Sequence, residues 1–315
     1  MVTPATSASA PHVGDAPAFL SSEAVMALSG LFVRARTVAD GVLAGMHQSQ
    51  RHGRSVEFAE HKVYTPGDDV RHLDWKAYAR FDRYYIRRFL EETSLRAFLV
   101  ADVSGSMAYA GGAPGSRPGI GKADYARVLC GTLACLLVRQ ADTVGCMTFA
   151  DTAGPKTAIR GGERQLHEVL DNLASARVGG PTHPAESLAA LASHVSRRAL
   201  VVVATDLLDT GLEILEPLAA LRNRGADVAV FHVIHPDEEH FPYDGLIRFL
   251  DLEGERETQV DAAAVRTAYL EEFGAWLTDV ENRAHDRGLD YLRVGTDEPP
   301  ARALLRFLEP RRHLG

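Results

Sequence analysis

From Arg96 onward, short apolar runs alternate with longer amphipathic stretches, and this pattern predicts alternating strands and helices. The runs that predict strands are 96–102, 142–151, 154–162, 198–206, 226–236 and 289–295, and 154–162 is of the edge type. The stretches that predict helices are 124–140, 163–176, 184–196, 212–225 and 261–288. Such alternation is typical of an α/β fold in which helices cover both faces of a mostly parallel sheet.

Before Arg96 the pattern is different. Residues 1–20 are rich in Pro, Ala and Ser and predict a disordered arm. Residues 21–46 predict a helix that Ser21 or Ser22 could cap. The remainder up to residue 95 has mixed charge and many aromatic side chains, and 84–92 fits a strand or a helix equally well. We therefore expect an arm at 1–20, an N-terminal helical and irregular segment at 21–95 packed on the main domain, and a main domain at 96–315.

Three polar residues lie where an open parallel sheet places its ligand site, which is beyond the carboxyl ends of the strands. Asp102 ends the first predicted strand of the main domain, and Asp206 ends the run 198–206. Thr182 lies in a loop before the predicted helix 184–196. We expect all three to meet at one edge of the sheet.

Composition and charge exclude several classes of protein. The net charge of −8 over 315 residues does not indicate a general affinity for nucleic acid or for an anionic membrane. No apolar run approaches the length of a transmembrane helix, and the N-terminus has neither an early positive charge nor the hydrophobic core of a signal peptide. We therefore expect a cytoplasmic protein without direct membrane insertion. Its three cysteines, off the usual ligand spacings, are expected to be buried free thiols.

The segment Asp-Val-Ser-Gly-Ser-Met at 102–107 places one carboxylate and two hydroxyls on alternating positions, at Asp102, Ser104 and Ser106. Hard oxygen atoms of this kind are what Mg²⁺ prefers as ligands. Neutral hydroxyl ligands would leave the ion partly uncompensated, so that it still attracts a carboxylate from a partner. Asp and Ser also favour turns and helix caps, so this motif alone fits an ordinary turn as well.

Other motifs do not support nucleotide binding or hydrolysis. The stretch Gly-Ile-Gly-Lys that ends at Lys122 lacks the Walker A spacing, has no Ser or Thr after the lysine and does not directly follow a strand. Neither serine of the motif lies in a Gly-x-Ser-x-Gly elbow. His232 and His235 lie on opposite faces of a predicted strand and are expected to serve packing or surface roles.

The motif at 102–107 resembles the Asp-x-Ser-x-Ser loop of von Willebrand factor A-type domains. Those domains carry a metal-ion-dependent adhesion site, which a Thr from a second loop and an Asp from a third loop complete. The resemblance implies a Rossmann-like fold and Mg²⁺ or Mn²⁺ at Asp102, Ser104, Ser106, Thr182 and Asp206. Thr182 matches least well, because Pro181 and Pro184 flank it.

The stretch 53–80, which includes Thr-Pro-Gly-Asp-Asp at 65–69, resembles the signature of the domain of unknown function 58 family. Members of that family join this segment to a von Willebrand A-type domain, and the resemblance extends over nearly the whole chain after about residue 30. The family often accompanies MoxR-type AAA+ ATPases, which implies a role in the assembly or activation of other proteins. Many members have N-terminal membrane helices, and this chain resembles the short soluble kind.

The predicted function is a non-enzymatic, metal-dependent interaction module. It would bind an acidic side chain of a protein partner, either a MoxR-type ATPase or its client. One alternative is a metal-dependent phosphatase or hydrolase that uses Asp102, although Ser104 stands where a second Asp would be expected and no general base is evident beside the loop. A second alternative is a scaffold whose metal site is not functional.

Overall fold

The computed structural model describes residues 25, 30–50, 61–64, 78, 80, 83–87, 94–112, 120–181, 184–189, 191, 195–208, 212–254 and 256–313. The strands are β1 His61–Val63, β2 Tyr85–Arg87, β3 Arg96–Asp102, β4 Thr143–Phe149, β5 Ala153–Lys156, β6 Leu200–Thr205, β7 Asp227–Ile234, β8 Leu246–Leu250, β9 Glu257–Asp261 and β10 Asp290–Gly295. The α-helices are α1 Leu31–Gln50, α2 Lys122–Arg139, α3 Glu163–Ser175, α4 Pro184–Ala189, α5 Leu215–Asn223, α6 Pro236–His240, α7 Ala262–Asp286 and α8 Pro300–Leu308. Short 3₁₀ turns lie at Ser106–Ala108 and Pro310–His313.

Six of the described strands form one sheet in the order β10-β7-β6-β3-β4-β5. All neighbours are parallel except β5, which runs antiparallel to β4 at the edge. The predicted α/β fold with a mostly parallel sheet is therefore confirmed. From β3 the chain proceeds to β4 on one side and later to β6 and β7 on the other. The strand order reverses at the boundary of β3 and β6, and this is where such sheets open a ligand crevice.

The four central strands β3, β4, β6 and β7 are buried on both faces because they are apolar along nearly their whole length, whereas the edge strands β5 and β10 are partly exposed. In β3, Leu99 packs on one side with α1, α2, α3 and α8. Val100 faces the other side, where α4, α5 and α7 cover the sheet. Successive side chains of a strand point to opposite faces, so one seven-residue run serves both cores.

The N-terminal segment contributes to this core. Ala35 and Val38 of α1 are buried in the same cluster as the buried side chains of α2. β1 and β2 pair antiparallel, so the ambiguous run 84–92 contains a strand. The predicted arm 1–20 and the predicted caps at Ser21 and Ser22 lie outside the described residues.

Sequence reasoning missed β1, α6, α8 and the antiparallel β8–β9 hairpin. The hairpin turns an inner face with Ile247 and Phe249 toward Phe241 and Tyr243, which form a small separate core. Its outer face exposes Leu246 and Leu250, so the alternating pattern of a half-buried strand is hidden by apolar residues on both faces. No helix among the described residues combines the length and the hydropathy needed to cross a membrane.

Candidate functional site

The loop after β3 brings its three oxygen-bearing side chains close together. Oδ1 of Asp102 accepts a hydrogen bond of 2.9 Å from the backbone N–H of Ser104. The hydroxyl oxygens of Ser104 and Ser106 lie 3.1 Å apart. Asp102 and Ser104 are buried, whereas Ser106 is partly exposed. A carboxylate and two hydroxyls thus lie close together at the carboxyl edge of the sheet.

The end of β6 supplies the second carboxylate. Asp206 follows directly after the strand and is 3 % exposed. Its Oδ1 accepts a hydrogen bond of 3.3 Å from the backbone N–H of Leu208. Burial, and then the nearby charge of Asp206, raise the pKa of Asp102 from 3.8 to about 7. Two buried carboxylates therefore repel each other here, and a cation between them would relieve this repulsion.

Thr205 is a site residue that the sequence reasoning missed. Its hydroxyl donates a 2.6 Å hydrogen bond to Oδ2 of Asp102. The residue is 1 % exposed and ends β6, directly before Asp206. The sequence contained a signal for Thr205. Because β3 and β6 were expected to end at the same edge of the sheet, the last residue of β6 could have been expected near Asp102.

Thr182, the predicted third element of the site, lies outside the described residues. The loop that leads to it does reach the site. The backbone N–H of Gly105 donates to the carbonyl of Gly180 at 2.9 Å, and the N–H of Gly179 donates to the carbonyl of Val103 at 2.9 Å. These two backbone bonds fasten the loop before Thr182 to the loop after β3.

Lys122 is the second residue that sequence reasoning missed at this site. It is the first residue of α2 and only 1 % exposed. Its Nζ lies 2.8 Å from Oδ2 of Asp206 and 2.7 Å from Oε1 of Glu238. Burial disfavours the ammonium and lowers the pKa of Lys122. The attraction of the two carboxylates is larger than this effect, so the pKa lies above its ordinary value. The spacing of the sequence could have indicated this residue. Lys122 lies one turn before Tyr125 and Ala126 on the buried face of α2, so its side chain could have been expected to be buried.

These oxygen atoms fit a divalent cation. Oδ2 of Asp206 is buried, and its partner among the described residues is the ammonium of Lys122 at 2.8 Å, so this oxygen is held by a charge and not by a fixed backbone donor. Carboxylate and hydroxyl oxygens are the ligands that Mg²⁺ and Mn²⁺ prefer. In the described part of the chain, no three His, Cys, Asp or Glu side chains form a metal-binding group. Asp102, Ser104, Ser106 and Asp206 would hold the ion.

A cavity of about 330 Å³ opens beside the site. It is lined by Ser106, Tyr109, Lys122, Leu208, Glu238, Asp251, Leu252 and Glu253. The turn of the β8–β9 hairpin forms one wall, and Oε1 of Glu253 accepts a long hydrogen bond of 3.4 Å from the N–H of Ser106. A side chain on Gly105 would overlap the carbonyl group of Leu252, so the hairpin turn rests directly on the loop after β3.

Helix α6 forms the opposite wall and is firmly held. Oε2 of Glu238 accepts a 2.7 Å hydrogen bond from the backbone N–H of His235, and the ring of His235 caps the same helix. The hydroxyl of Tyr109 donates to Asp237 at 3.1 Å and also contacts the hydroxyl of Tyr243. These hydrogen bonds hold Glu238, His235 and Tyr109 in place on this side of the cavity.

The two histidines of β7 and its end have structural roles. His232 is buried, and burial lowers its pKa to about 4. Its Nδ1 lies 2.6 Å from the hydroxyl of Tyr291. His235 is also buried, so the packing role expected for both residues is confirmed and the surface role is wrong.

The three cysteines are buried free thiols, as expected.

Comparison with known proteins identifies the family but not an activity. The family model described as "Protein of unknown function DUF58" matches residues 60–275. Uncharacterized proteins of Mycobacterium bovis and Mycobacterium tuberculosis are 26 % identical over 317 aligned residues, which cover 98 % of this chain and 97 % of theirs.

Solved structures similar to the chain come from several organisms. The conserved hypothetical protein BatB from Bacteroides thetaiotaomicron is 16 % identical, with a TM-score of 0.42, over 70 % of this chain and 100 % of its own. An aerotolerance-related membrane protein from Bacteroides fragilis is 18 % identical, with a TM-score of 0.44 and the same coverage. The VWA domain of SpRpn10 is 11 % identical, with a TM-score of 0.37, over 67 % of this chain and 94 % of its own.

Proposed function

Because this chain belongs to the family of proteins of unknown function DUF58, we propose a function for it from the geometry of its own site. The protein is an interaction module that binds a divalent cation, Mg²⁺ or Mn²⁺, and uses it to capture an acidic side chain of a protein partner. The observation that carries this proposal is the pair of buried carboxylates, Asp102 and Asp206, at the reversal point of the sheet, where Asp102 also begins the loop with the paired hydroxyls of Ser104 and Ser106.

The charge of the site supports the requirement for metal. Glu238, Asp251 and Glu253 line the cavity, and Lys122, which also lines it, is already paired with Asp206 and Glu238. A partner's carboxylate would be repelled by this surface in the absence of a divalent cation. When bound, the ion supplies a Lewis-acidic position for that carboxylate. Asp102, Ser104, Ser106 and Asp206 would hold the ion.

Exposed apolar side chains beside the cavity favour a protein partner over a small ion or metabolite. Leu208 and Leu252 line it and are 45 % and 47 % exposed. Leu250 continues this apolar surface along the outer face of β8 and is 59 % exposed. Clustered exposed leucines are typical of protein interaction surfaces.

The resemblance to the family implies a MoxR-type AAA+ ATPase, or a client of one, as the partner. We propose that the complex acts in the cytoplasm in the assembly or activation of other proteins. The test is capture of a purified MoxR-type ATPase from the same organism, in millimolar Mg²⁺ or in EDTA. Capture in Mg²⁺ that is lost in EDTA and in Asp206→Asn supports the proposal. Equal capture under all conditions contradicts its dependence on metal.

A hydrolase that uses Asp102 as nucleophile is less well supported. Both oxygens of Asp102 already accept hydrogen bonds, from Ser104 and from Thr205, and the side chain is 2 % exposed. A nucleophile needs an oxygen that the substrate can reach. We therefore propose that the protein is not an enzyme. Turnover of a panel of phosphate esters that requires metal and is lost in Asp102→Ala would contradict this.

Metal binding itself is tested by thermal unfolding with and without millimolar Mg²⁺ or Mn²⁺. A ligand at a hundred times its dissociation constant adds about 2.7 kcal/mol to the stability of the native state. We expect this stabilisation in the wild type and not in Asp206→Asn. An equal absence of any shift in both proteins would favour a scaffold whose metal site does not function.

A further inference from the structure

Lys122 and a divalent cation would compete for the same carboxylate oxygen. We propose that Lys122 is a placeholder cation, whose ammonium occupies Asp206 while the site is free of metal and leaves it when a metal ion binds. This inference rests on the proposed function and adds to it, because it names the residue that sets the affinity of the site for metal.

The position of Lys122 requires carboxylate partners. Its ammonium is almost fully buried, and a buried charge without a partner is strongly destabilising. Lys122 is also the first residue of α2, where the positive end of the helix dipole opposes a cation. Both effects are offset by Asp206 and Glu238, which lie at 2.8 Å and 2.7 Å. The metal-free site therefore already contains a positive charge.

That charge lies at the oxygen atom that a metal ion would use. Oδ1 of Asp206 accepts a hydrogen bond from the backbone N–H of Leu208, whereas Oδ2 contacts the ammonium of Lys122 at 2.8 Å. A divalent ion bound at Oδ2 would stand within contact distance of the ammonium. Two cations at this separation in a buried site repel each other strongly. Metal and ammonium cannot both hold this oxygen.

Glu238 provides the alternative position for the displaced ammonium. Its Oε1 already contacts Lys122, and its Oε2 is fixed by the backbone N–H of His235 at 2.7 Å. The backbone carbonyl of Glu238 also accepts a hydrogen bond of 3.0 Å from Tyr269. Lys122 can therefore release Asp206 and keep Glu238, so that it never becomes an unpaired buried charge.

The space around Lys122 permits this movement. The side chain lines the cavity beside the site, together with Glu238 and Tyr109. Its Nζ lies 5.9 Å from the centre of the Tyr109 ring, within the range of a cation–π contact. Lys122 would move away from Asp206 toward a carboxylate and an aromatic face that are both already in place.

The test is the affinity for Mn²⁺ of the full-length protein, measured by titration calorimetry at a fixed pH. The variant is Lys122→Met, which removes the ammonium and keeps much of the apolar stem. The matched control is Lys156→Met, which removes the same charge from the edge strand β5, outside the site. Lys122→Gln is the second variant, because its amide can still donate to the carboxylates if the Met variant fails to fold.

We expect Lys122→Met and Lys122→Gln to bind Mn²⁺ at least about tenfold more tightly than the wild type. A tenfold ratio of dissociation constants is a difference of about 1.4 kcal/mol in the free energy of binding. We expect Lys156→Met to bind like the wild type. Misfolding cannot imitate this result, since it would weaken binding. Equal or weaker binding by both variants, with normal binding by the wild type, would overturn the inference and leave the proposed function intact. If neither variant nor the wild type binds Mn²⁺, the proposed metal site fails as well.

Discussion

The hydroxyl of Thr205 donates a 2.6 Å hydrogen bond to Oδ2 of Asp102 and so joins the end of β6 to the end of β3. Both side chains are buried, and Thr205 in turn accepts a hydrogen bond of 3.1 Å from the backbone N–H of Leu207. Because the oxygen of Thr205 is already an acceptor, its proton is directed at Asp102. Thr205 therefore acts as a positioning residue, which orients Asp102 beneath the two serines.

Replacement of this hydroxyl should destabilise the protein. In Thr205→Val the side chain keeps its shape, but Oδ2 of Asp102 becomes a buried acceptor without a donor. We expect the free energy of unfolding to fall by about 2 kcal/mol, as for other hydrogen bonds to charged groups. Urea unfolding measures this change. Thr205→Ser retains the hydroxyl and should lose distinctly less, and equal losses in the two variants would show that the hydrogen bond is not responsible.

The raised pKa of Asp102 predicts how the stability of the metal-free protein depends on pH. The native state holds this proton up to about pH 7, whereas the unfolded chain releases it near pH 3.8. Between these values the native state binds more protons, so the contribution of Asp102 to stability is present at low pH and is lost as the pH rises through 7.

The variant Asp102→Asn isolates this contribution, because its amide does not titrate. We expect the wild type in EDTA to lose stability relative to Asp102→Asn between about pH 4 and pH 8, which span the interval between the two pKa values, as measured by urea unfolding at each pH. Millimolar Mg²⁺ at pH 8 should restore stability to the wild type alone. A difference between the two proteins that is independent of pH would contradict the raised pKa.

The contact between the loop after β3 and the β8–β9 hairpin can be tested with one methyl group. In Gly105→Ala the new Cβ would overlap the carbonyl group of Leu252, and backbone cannot move aside as a flexible side chain can. We expect a loss of about 1–3 kcal/mol and faster hydrogen exchange in the turn 251–254.

Gly112→Ala is the matched control for this change. A Cβ at Gly112 meets no heavy atom within 4 Å among the described residues, so neither stability nor exchange should change there. If Gly105→Ala behaved like Gly112→Ala, the hairpin turn would not rest on the metal-binding loop.

The leucines beside the cavity should contribute to partner binding without contributing to stability. Leu208→Ser removes an apolar side chain that is 45 % exposed, so the free energy of unfolding should change by less than about 0.5 kcal/mol. We expect capture of the MoxR-type ATPase in Mg²⁺ to weaken about fivefold or more, in keeping with the loss of roughly 1 kcal/mol from an interface. Val33→Ser on α1, at 44 % exposure, is the control and should bind the ATPase normally.

The main sheet could be predicted from the sequence because its strands are continuous apolar runs with helical stretches between them. β3 and β6 lie where expected, and so do Asp102 and Asp206 at their carboxyl ends. The β8–β9 hairpin could not be predicted in this way. Its strands are short, and Leu246 and Leu250 place apolar residues on the solvent side, so period-2 alternation disappears.

By itself, the sequence determined which oxygen-bearing side chains stand at the strand ends, since hydrophobic period and strand direction place them at one edge. Only the tertiary structure decided what surrounds them. Thr205 reaches Asp102 from β6, and Lys122 of α2 reaches both Asp206 and Glu238, which lie far from it in the chain. Their roles depend on distances and burial, because a lysine on a helix becomes a buried counter-charge only when packing brings two carboxylates to it.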